Sequence, residues 1–278
     1  MNAKRILSVF RQFRRFPELV RCYQYFGCPT AIALSFTTLR TGCFPRILEY
    51  KRNGRLYHVT LPSWEDLRTA WTVLLGNEYR IEKEDATILD IGGNIGLFAI
   101  YANSLNPHSR IISVEPFAPS YLWLVQVAAH PKLAPHLETR QLAISGMDGT
   151  VTMDASPGIP GHSRKISRKP GHADFIQAES KTLESFLDAE SLDEVDFIKM
   201  DIEGAEYEVI SQSSCRTLRR SRRYGIEYHG RGVEILLEKF RDAGFSLTGH
   251  HKHAGTGVVE FTRQPDKGHD IHQVRRGQ

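Results

Sequence analysis

From Arg55 onward, short apolar segments alternate with segments of helical periodicity, and this alternation constrains the fold more than any other feature. The predicted strands are residues 55–61, 87–91, 111–114, 139–144, 195–200, 224–228, 246–250 and 257–262, and the predicted helices are 67–75, 97–105, 120–129, 182–187, 205–211 and 233–243. Strands that alternate with helices typically form a parallel sheet covered on both faces. We therefore predict an α/β fold in which the last two strands form a closing hairpin.

The alternation is interrupted between residues 146 and 172, where glycine and proline are frequent. This composition favours a hairpin followed by a loop. The same stretch contains the basic residues Arg164, Lys165, Arg168 and Lys169, a charge run that is more typical of a solvated surface than of a binding site. Long connections inside a domain are often functional. We therefore expect this loop and the N-terminal segment to select the acceptor of any reaction.

The charge of the chain is distributed unevenly. The sequence has 36 basic and 32 acidic residues, a net charge of +4, but residues 1–60 contain 11 Lys or Arg and only 2 Asp or Glu. The remainder is acidic on balance, which disfavours a nucleic-acid-binding domain. We predict a basic accessory segment over residues 1–54. It either docks on the main domain as a helix or, through residues 1–50, contacts an anionic membrane surface.

Targeting and cross-linking features are few. The cysteines at positions 22, 28, 43 and 215 have no zinc-binding spacing and predict no disulfide framework. No apolar run approaches the roughly 18 to 20 residues that a membrane span needs, and the N-terminus does not read as a signal peptide. We expect a cytoplasmic protein, membrane-associated at most through its N-terminal segment, with residues 264–278 as a disordered tail.

A buried strand ending at Ile91 is followed directly by three glycines and a helix. Gly92, Gly93 and Gly96 allow the backbone to turn tightly and to come close to a ligand. The helix that follows offers unpaired N–H groups at its first turn. This arrangement predicts a loop that binds a nucleotide cofactor.

Two details of this loop disfavour a dinucleotide. The dinucleotide fingerprint would require glycine at position 94 and usually at 97, where the chain has Asn94 and Leu97. Asp90 would place a carboxylate where a pyrophosphate should lie, which suits a cationic group instead. S-adenosylmethionine carries an amine and a sulfonium and no phosphate. It is therefore the predicted cofactor, and an NAD-linked oxidoreductase is the alternative.

Two further strand ends supply carboxylates. The strand after the glycine loop ends in Ser-Val-Glu-Pro, so that Glu115, followed by Pro116, is placed to accept hydrogen bonds from ribose hydroxyls. A later apolar strand delivers Asp201 and Glu203 to the carboxyl edge of the sheet, where α/β proteins bind ligands. The three strand ends together predict one site.

Three strings make the chain similar to the FkbM family of S-adenosylmethionine-dependent methyltransferases. They are Asp-Ile-Gly-Gly-Asn-Ile-Gly from residue 90, Val-Glu-Pro from residue 114 and, most discriminating, Lys-Met-Asp-Ile-Glu-Gly-Ala-Glu from residue 199. The resemblance covers residues 76–262. It implies a class I methyltransferase (Rossmann-like) domain, which we assign to residues 55–263. The implied sheet has seven strands, mainly parallel with one antiparallel strand from the final hairpin, and helices on both faces.

The resemblance also implies an activity, namely methylation of a hydroxyl group on a sugar, a glycolipid or other lipid-linked acceptor, or a small natural product. The predicted cofactor-binding residues are Asp90, Gly92, Gly93, Asn94, Gly96, Glu115 and Pro116. The predicted catalytic residues are Asp201, Glu203, Glu227 and His229. A neutral alcohol is a poor nucleophile, so a base should take its proton, and we nominate His229 or Asp201. The site is predicted without a metal, although Asp201, Glu227 and His229 would suit a divalent ion.

The chain departs from the family pattern at two places. Gly93 stands where alanine is usual, and residues 142–145 contain no acidic side chain to hold an adenine amine. A noncatalytic, membrane-attached binding module with a vestigial cofactor site is a second alternative. The intact Asp90, Gly92, Gly96 and Glu115 disfavour it.

Overall fold

The fold is described from a computed structural model. It describes residues 16–37, 43–154, 175–230, 232–252 and 255–265. Residues 1–15 of the predicted accessory segment, the basic run at 164–169 and the predicted tail from residue 266 lie outside the described residues.

Two helices and a β-hairpin precede the main sheet: α1 (Phe16–Tyr25), α2 (Pro29–Thr37), β1 (Arg46–Arg52) and β2 (Arg55–Leu61). The predicted domain boundary between residues 54 and 55 lies in the turn of this hairpin. Tyr50 and Tyr57, one from each strand, are fully buried, and the Tyr57 hydroxyl donates to Asn103 Oδ1 at 2.8 Å. The hairpin therefore shares a hydrophobic core with the residues that follow it.

The strands that follow are β3 (Thr87–Ile91), β4 (Arg110–Val114), β5 (Leu137–Arg140), β6 (Ala143–Ile144), β7 (Gly149–Asp154), β8 (Phe175–Lys181), β9 (Val195–Met200), β10 (Ser221–His229), β11 (Phe245–Lys252) and β12 (Thr256–Arg263). The main sheet has seven of them, in the order β5-β4-β3-β9-β10-β12-β11. Its neighbouring strands are parallel except at β12, which runs antiparallel to β10 and to β11. The predicted seven-stranded, mainly parallel sheet is confirmed, as is the closing hairpin.

The predicted single strand over residues 139–144 is wrong. Its first half belongs to β5, which ends at Arg140 because its partner β4 ends opposite, at Val114. Its second half is β6, which pairs with β8 in a separate sheet of order β6-β8-β7. The sequence predicts a hairpin near this point but not β8 itself, which is antiparallel to β7.

The helices of the main domain are α3 (Trp64–Gly76), α4 (Leu97–Leu105), α5 (Ala118–Ala128), α6 (Leu183–Ala189), α7 (Glu206–Gln212), α8 (Cys215–Leu218) and α9 (Val233–Asp242). Consecutive strand residues face opposite cores, as Ile88 and Leu89 show: one packs with α3 and α4, the other with α6 and α9. Helices on both faces are therefore confirmed. Among the described residues, no helix combines the length and hydropathy that a membrane span requires.

Candidate active site

A cavity of about 280 Å³ lies at the carboxyl edge of the main sheet, where β3, β4, β9 and β10 end. This is the edge at which open α/β sheets bind ligands. Eight of the predicted site residues line it: Gly92, Gly93, Asn94, Glu115, Pro116, Asp201, Glu203 and Glu227. Three others, Asp90, Gly96 and His229, are not on its wall. The separate motifs thus converge on one site.

The glycine loop after β3 is held close to its neighbours. Gly92 has a φ of +83°, and a Cβ atom there would lie 1.8 Å from the carbonyl oxygen of Asp201. A Cβ on Gly93 would lie 2.0 Å from Ser113 Oγ. The amides of both glycines donate to the Val114 carbonyl at 2.9 Å. Glycine replaces the usual alanine at position 93 because Ser113 occupies the space of the methyl group.

Asp90 supports the glycine loop from the buried side, away from the cavity. Its carboxylate is fully buried, accepts a hydrogen bond from Ser113 Oγ at 2.6 Å and pairs with Lys199 Nζ at 3.1 Å. Lys199 also donates to the Gly92 carbonyl at 2.6 Å. Burial opposes the charge of Lys199, but the charges of Asp90 and Asp201 outweigh it and raise the pKa of the ammonium. The cation that we expected beside Asp90 is therefore a side chain of the protein.

Glu115 links the glycine loop to the end of β4. Its carboxylate accepts hydrogen bonds from the backbone amides of Asn94 and Phe117, each at 2.8 Å. Burial raises its pKa to about 7, against the opposing effect of these two bonds and of Lys199. A carboxylate has about four acceptor positions, so Glu115 retains capacity for a ligand on the cavity side.

The turn after β9 is organised by Glu206, the last residue of the string that begins at residue 199. Its buried carboxylate accepts from the amide of Ile202 at 2.9 Å and from that of Gly204 at 2.8 Å. Glu203 and Gly204, between them, have φ values of +56° and +105°. The last string of the family pattern therefore encodes a tight turn in which Glu206 satisfies the amides and Glu203 reaches the cavity.

His229, at the end of β10, lies among carboxylates. Its Nδ1 is 3.2 Å from Glu206 Oε1, and its Nε2 is 3.5 Å from Glu203 Oε2 and 4.0 Å from Glu227 Oε1. Burial alone would lower its pKa, but the hydrogen bond and charge of Glu206, with the charges of Asp201 and Glu203, raise it to about 9. The imidazole is therefore positively charged at neutral pH.

Asp201 and Glu227 face the cavity with altered acidity. Burial raises the pKa of both, and the neighbouring charge of Asp201 helps to raise that of Glu227 to about 8. The positive charges of Lys199 and His229 oppose these shifts. A carboxylate that holds protons more readily than usual is a stronger base. This wall is therefore chemically suited to take a proton from a bound hydroxyl group.

A metal could be held by a set that differs from the predicted one. Asp201, Glu203 and His229 offer ligand atoms within 4.8 Å of one another, with Glu203 in place of Glu227. These are suitable ligand types for a divalent ion. The positive charge of His229 offsets part of the acidic charge of this cluster.

One wall of the cavity is not predicted from the sequence. Glu65, Arg68, Thr69, Thr72 and Val73 of α3 line it, at helical spacings of three and four residues. The opposite stripe of α3 is buried in the core, and Ser63 caps the helix by accepting a hydrogen bond from the amide of Asp66. A polar stripe on an amphipathic helix usually faces solvent. Nothing in this sequence distinguishes a stripe that faces solvent from one that lines a cavity.

Four residues of the small second sheet and the link before it also line the cavity: Leu142, Ala143, Ile144 and Met153. Met153 belongs to the interrupted stretch in which we expect acceptor selection. The other three follow the point at which the chain leaves the main sheet. They give the cavity an apolar side beside Val114, which is buried at the end of β4.

Comparison with known proteins identifies the family. The family described as "Methyltransferase FkbM domain" matches residues 90–247. Methyltransferase 1 from Beauveria bassiana is 27% identical over 145 residues, which are 46% of this chain and 58% of that protein. Methyltransferase sdnD from Sordaria araneosa is 25% identical over 191 residues, 58% of this chain and 74% of that protein. The chain thus spans little more than half of the first relative and about three quarters of the second.

Solved structures resemble the fold more distantly. Fibrillarin from Aeropyrum pernix, in complex with S-adenosyl-L-methionine, is 14% identical with a TM-score of 0.44, covering 79% of this chain and 83% of that one. The O-methyltransferase NcsB1 from neocarzinostatin biosynthesis is 9% identical with a TM-score of 0.39, covering 71% and 56%. The fold assignment therefore rests on the strand order and register described above.

The family match contains the glycine loop, Glu115 and the turn at residues 199–206, which are the elements that build the cavity. The match does not support the alternative prediction of an NAD-linked oxidoreductase. Since the match also extends over more than half of the sequence, this chain belongs to the FkbM methyltransferase domain family.

Proposed function

We propose that the protein is an S-adenosylmethionine-dependent methyltransferase that methylates a hydroxyl group on a sugar, a lipid-linked sugar or a small natural product. The observation that carries this proposal is a single cavity in which the glycine loop and Glu115 lie beside Asp201 and Glu227. One side offers the contacts that a nucleoside cofactor needs, and the other offers a base for the acceptor.

The residues present fit S-adenosylmethionine. Glu115 retains acceptor positions for ribose hydroxyls, and Leu142–Ile144 with Val114 provide an apolar side suited to an adenine ring. The charged residues on the described wall are Glu65, Glu115, Asp201, Glu203 and Glu227 against Arg68 and Lys199. An acidic cavity favours a ligand with a sulfonium and an amine over one with phosphates. We propose that Gly92–Asn94, Glu115 and Pro116 contact the cofactor, with Asp90 and Gly96 shaping the loop.

The proposed chemistry is proton removal next to a methyl donor. When bound, the cofactor supplies a methyl group that its sulfonium already activates. The task of the protein is to hold the acceptor hydroxyl in line and to take its proton as the C–O bond forms. We propose that Asp201 is the base that takes this proton, because it is on the cavity wall. His229 is not on the wall and is already positively charged. Glu203, Glu227 and His229 then position and tune Asp201.

Isothermal titration with S-adenosylhomocysteine and with NAD tests the cofactor. We expect binding of S-adenosylhomocysteine alone, and binding of NAD alone would overturn the proposal. Incubation with radiolabelled S-adenosylmethionine and a cell extract, followed by separation of glycans, lipids and small metabolites, tests the acceptor. Label in none of these fractions under conditions of cofactor binding would instead support the noncatalytic binding module.

Membrane contact through the N-terminal segment stays a prediction. In α1, Val20 and Tyr23 are 51% and 58% exposed, whereas Cys22, and Phe26 just after the helix, are buried in the common core. Deletion of residues 1–50 would therefore remove part of that core. Deletion of residues 1–15 is the better test. If these residues contact membranes, the full chain should sediment with anionic vesicles and the shortened chain should not.

A further inference from the structure

Arg68 is the feature of the cavity that the proposed function leaves unused. It projects from the stripe of α3 that lines the cavity, on a helix fixed by its cap at Ser63 and by buried Trp71 and Leu74. Among the described residues, no hydrogen bond or ion pair is formed by the side chain of Arg68, and none links it to Glu65 one turn earlier. Its guanidinium is thus available to a ligand.

No other positive charge on the described wall is available in this way. Lys199 is only 4% exposed, and its ammonium is already bound to Asp90 and to the Gly92 carbonyl. The remaining charged side chains on the wall are acidic. Among the described residues of the wall, an anionic group that enters the cavity therefore finds no cationic side chain other than Arg68 that is free to pair with it.

The amides of the glycine loop do not compensate for this. Those of Gly92 and Gly93 donate to Val114, that of Asn94 donates to Glu115, and that of Gly96 donates to the Gly93 carbonyl. Glycine loops often bind anions through such amides. These four amides donate to acceptors within the protein, so they are not available to an anionic group of a ligand.

We infer that Arg68 binds the carboxylate of the methionine part of the cofactor. This inference rests on the proposed function, because it assigns one contact of S-adenosylmethionine. That ligand is cationic at its sulfonium and amine but carries one carboxylate, which needs a positively charged or N–H partner in a cavity whose other exposed charges are acidic. A guanidinium can bind a carboxylate through two parallel N–H···O bonds. Arg68 therefore orients the amino-acid end of the cofactor toward α3.

The test compares two ligands that differ only in the carboxylate: S-adenosylhomocysteine and its decarboxylated analogue. Both are titrated calorimetrically into the full-length wild type, Arg68→Gln and Arg68→Lys. Arg241→Gln is the control, since it removes one positive charge from an exposed site on α9. We expect Arg68→Gln to bind S-adenosylhomocysteine roughly 10-fold more weakly, the size of one charge-assisted contact. Its affinity for the analogue should be unchanged, and Arg68→Lys should recover part of the loss.

The outcomes separate this inference from the proposed function. Equal S-adenosylhomocysteine affinity in the wild type and Arg68→Gln would overturn this inference but not the proposed function. Arg68 would then be available to contact the acceptor. An equal loss for both ligands would also overturn it, because the effect would not come from the carboxylate. Failure of the wild type to bind either ligand would overturn the proposed function and the inference with it.

Discussion

The two sides of the cavity differ in how firmly the chain holds them. On the glycine-loop side, which we call the tied side, Lys199 pairs with Asp90 and donates to the Gly92 carbonyl, and Glu115 accepts from the amide of Asn94. On the α3 side, Arg68 and Thr72 have no described partner. A network of such contacts restricts which side chains fit at each position, and this is consistent with the recognisable strings at residues 90–96, 114–116 and 199–206. The polar stripe of α3 has no such contacts, and its residues leave no recognisable string in the sequence.

The largest expected effect tests whether the chemistry belongs to the tied side. Asp201→Asn keeps the shape of the side chain but removes its ability to take a proton. Turnover should fall by about 10² to 10⁴-fold, while affinity for S-adenosylhomocysteine should change little. Label transfer in the extract assay measures the first and titration calorimetry the second. The same measurements on His229→Gln provide the comparison, and a larger loss there than in Asp201→Asn would move the role of base to His229.

The next prediction concerns how closely the tied side is packed. Gly93→Ala should destabilise the fold by about 1 to 3 kcal/mol, because its methyl group would overlap Ser113 Oγ. In a Ser113→Ala background the same substitution should cost less, since that oxygen is absent. Urea unfolding of the four proteins gives the coupling free energy. Additive effects would show that Ser113 is not what excludes a side chain at position 93.

A smaller effect should follow pH. Glu115 has a raised pKa of about 7, so its carboxylate gains a proton as the pH falls through neutrality. Ribose hydroxyls donate to the ionised form, so affinity for S-adenosylhomocysteine should be complete above that pKa and decline below it. We expect a loss of several-fold between about pH 8 and about pH 6. Glu115→Gln should bind more weakly at both values and lose this dependence. A dependence that persists in Glu115→Gln would assign it to another group.

The smallest effect is expected on the α3 side. Thr72→Val replaces a hydroxyl with a methyl group of similar size on the cavity wall. Cofactor affinity should stay within about 2-fold, because no tied contact is lost. Label transfer to the extract should change its distribution among fractions instead. If cofactor affinity fell as much as in Arg68→Gln, the whole stripe would belong to the cofactor site.

The sequence predicts the tied side well because its determinants are local. The bounds of β3, α4 and β9 agree with prediction, since each is an apolar run with a clear end. The break between β5 and β6 after Arg140 is not predictable in this way, because it depends on where the partner strand β4 ends. The pairing of Asp90 with Lys199 likewise joins residues far apart in the sequence. It explains why Asp90 is not on the cavity wall.

One carboxylate in the site serves two purposes, and this has a measurable consequence. Glu206 Oε1 lies 2.9 Å from the Ile202 amide and 3.2 Å from His229 Nδ1, so the shape of the turn and the charge of the imidazole depend on the same atom. Any ligand that displaces the turn therefore also changes the number of protons bound. The heat of ligand binding should then vary with the ionisation enthalpy of the buffer. The slope of binding heat against that enthalpy gives the number of protons exchanged.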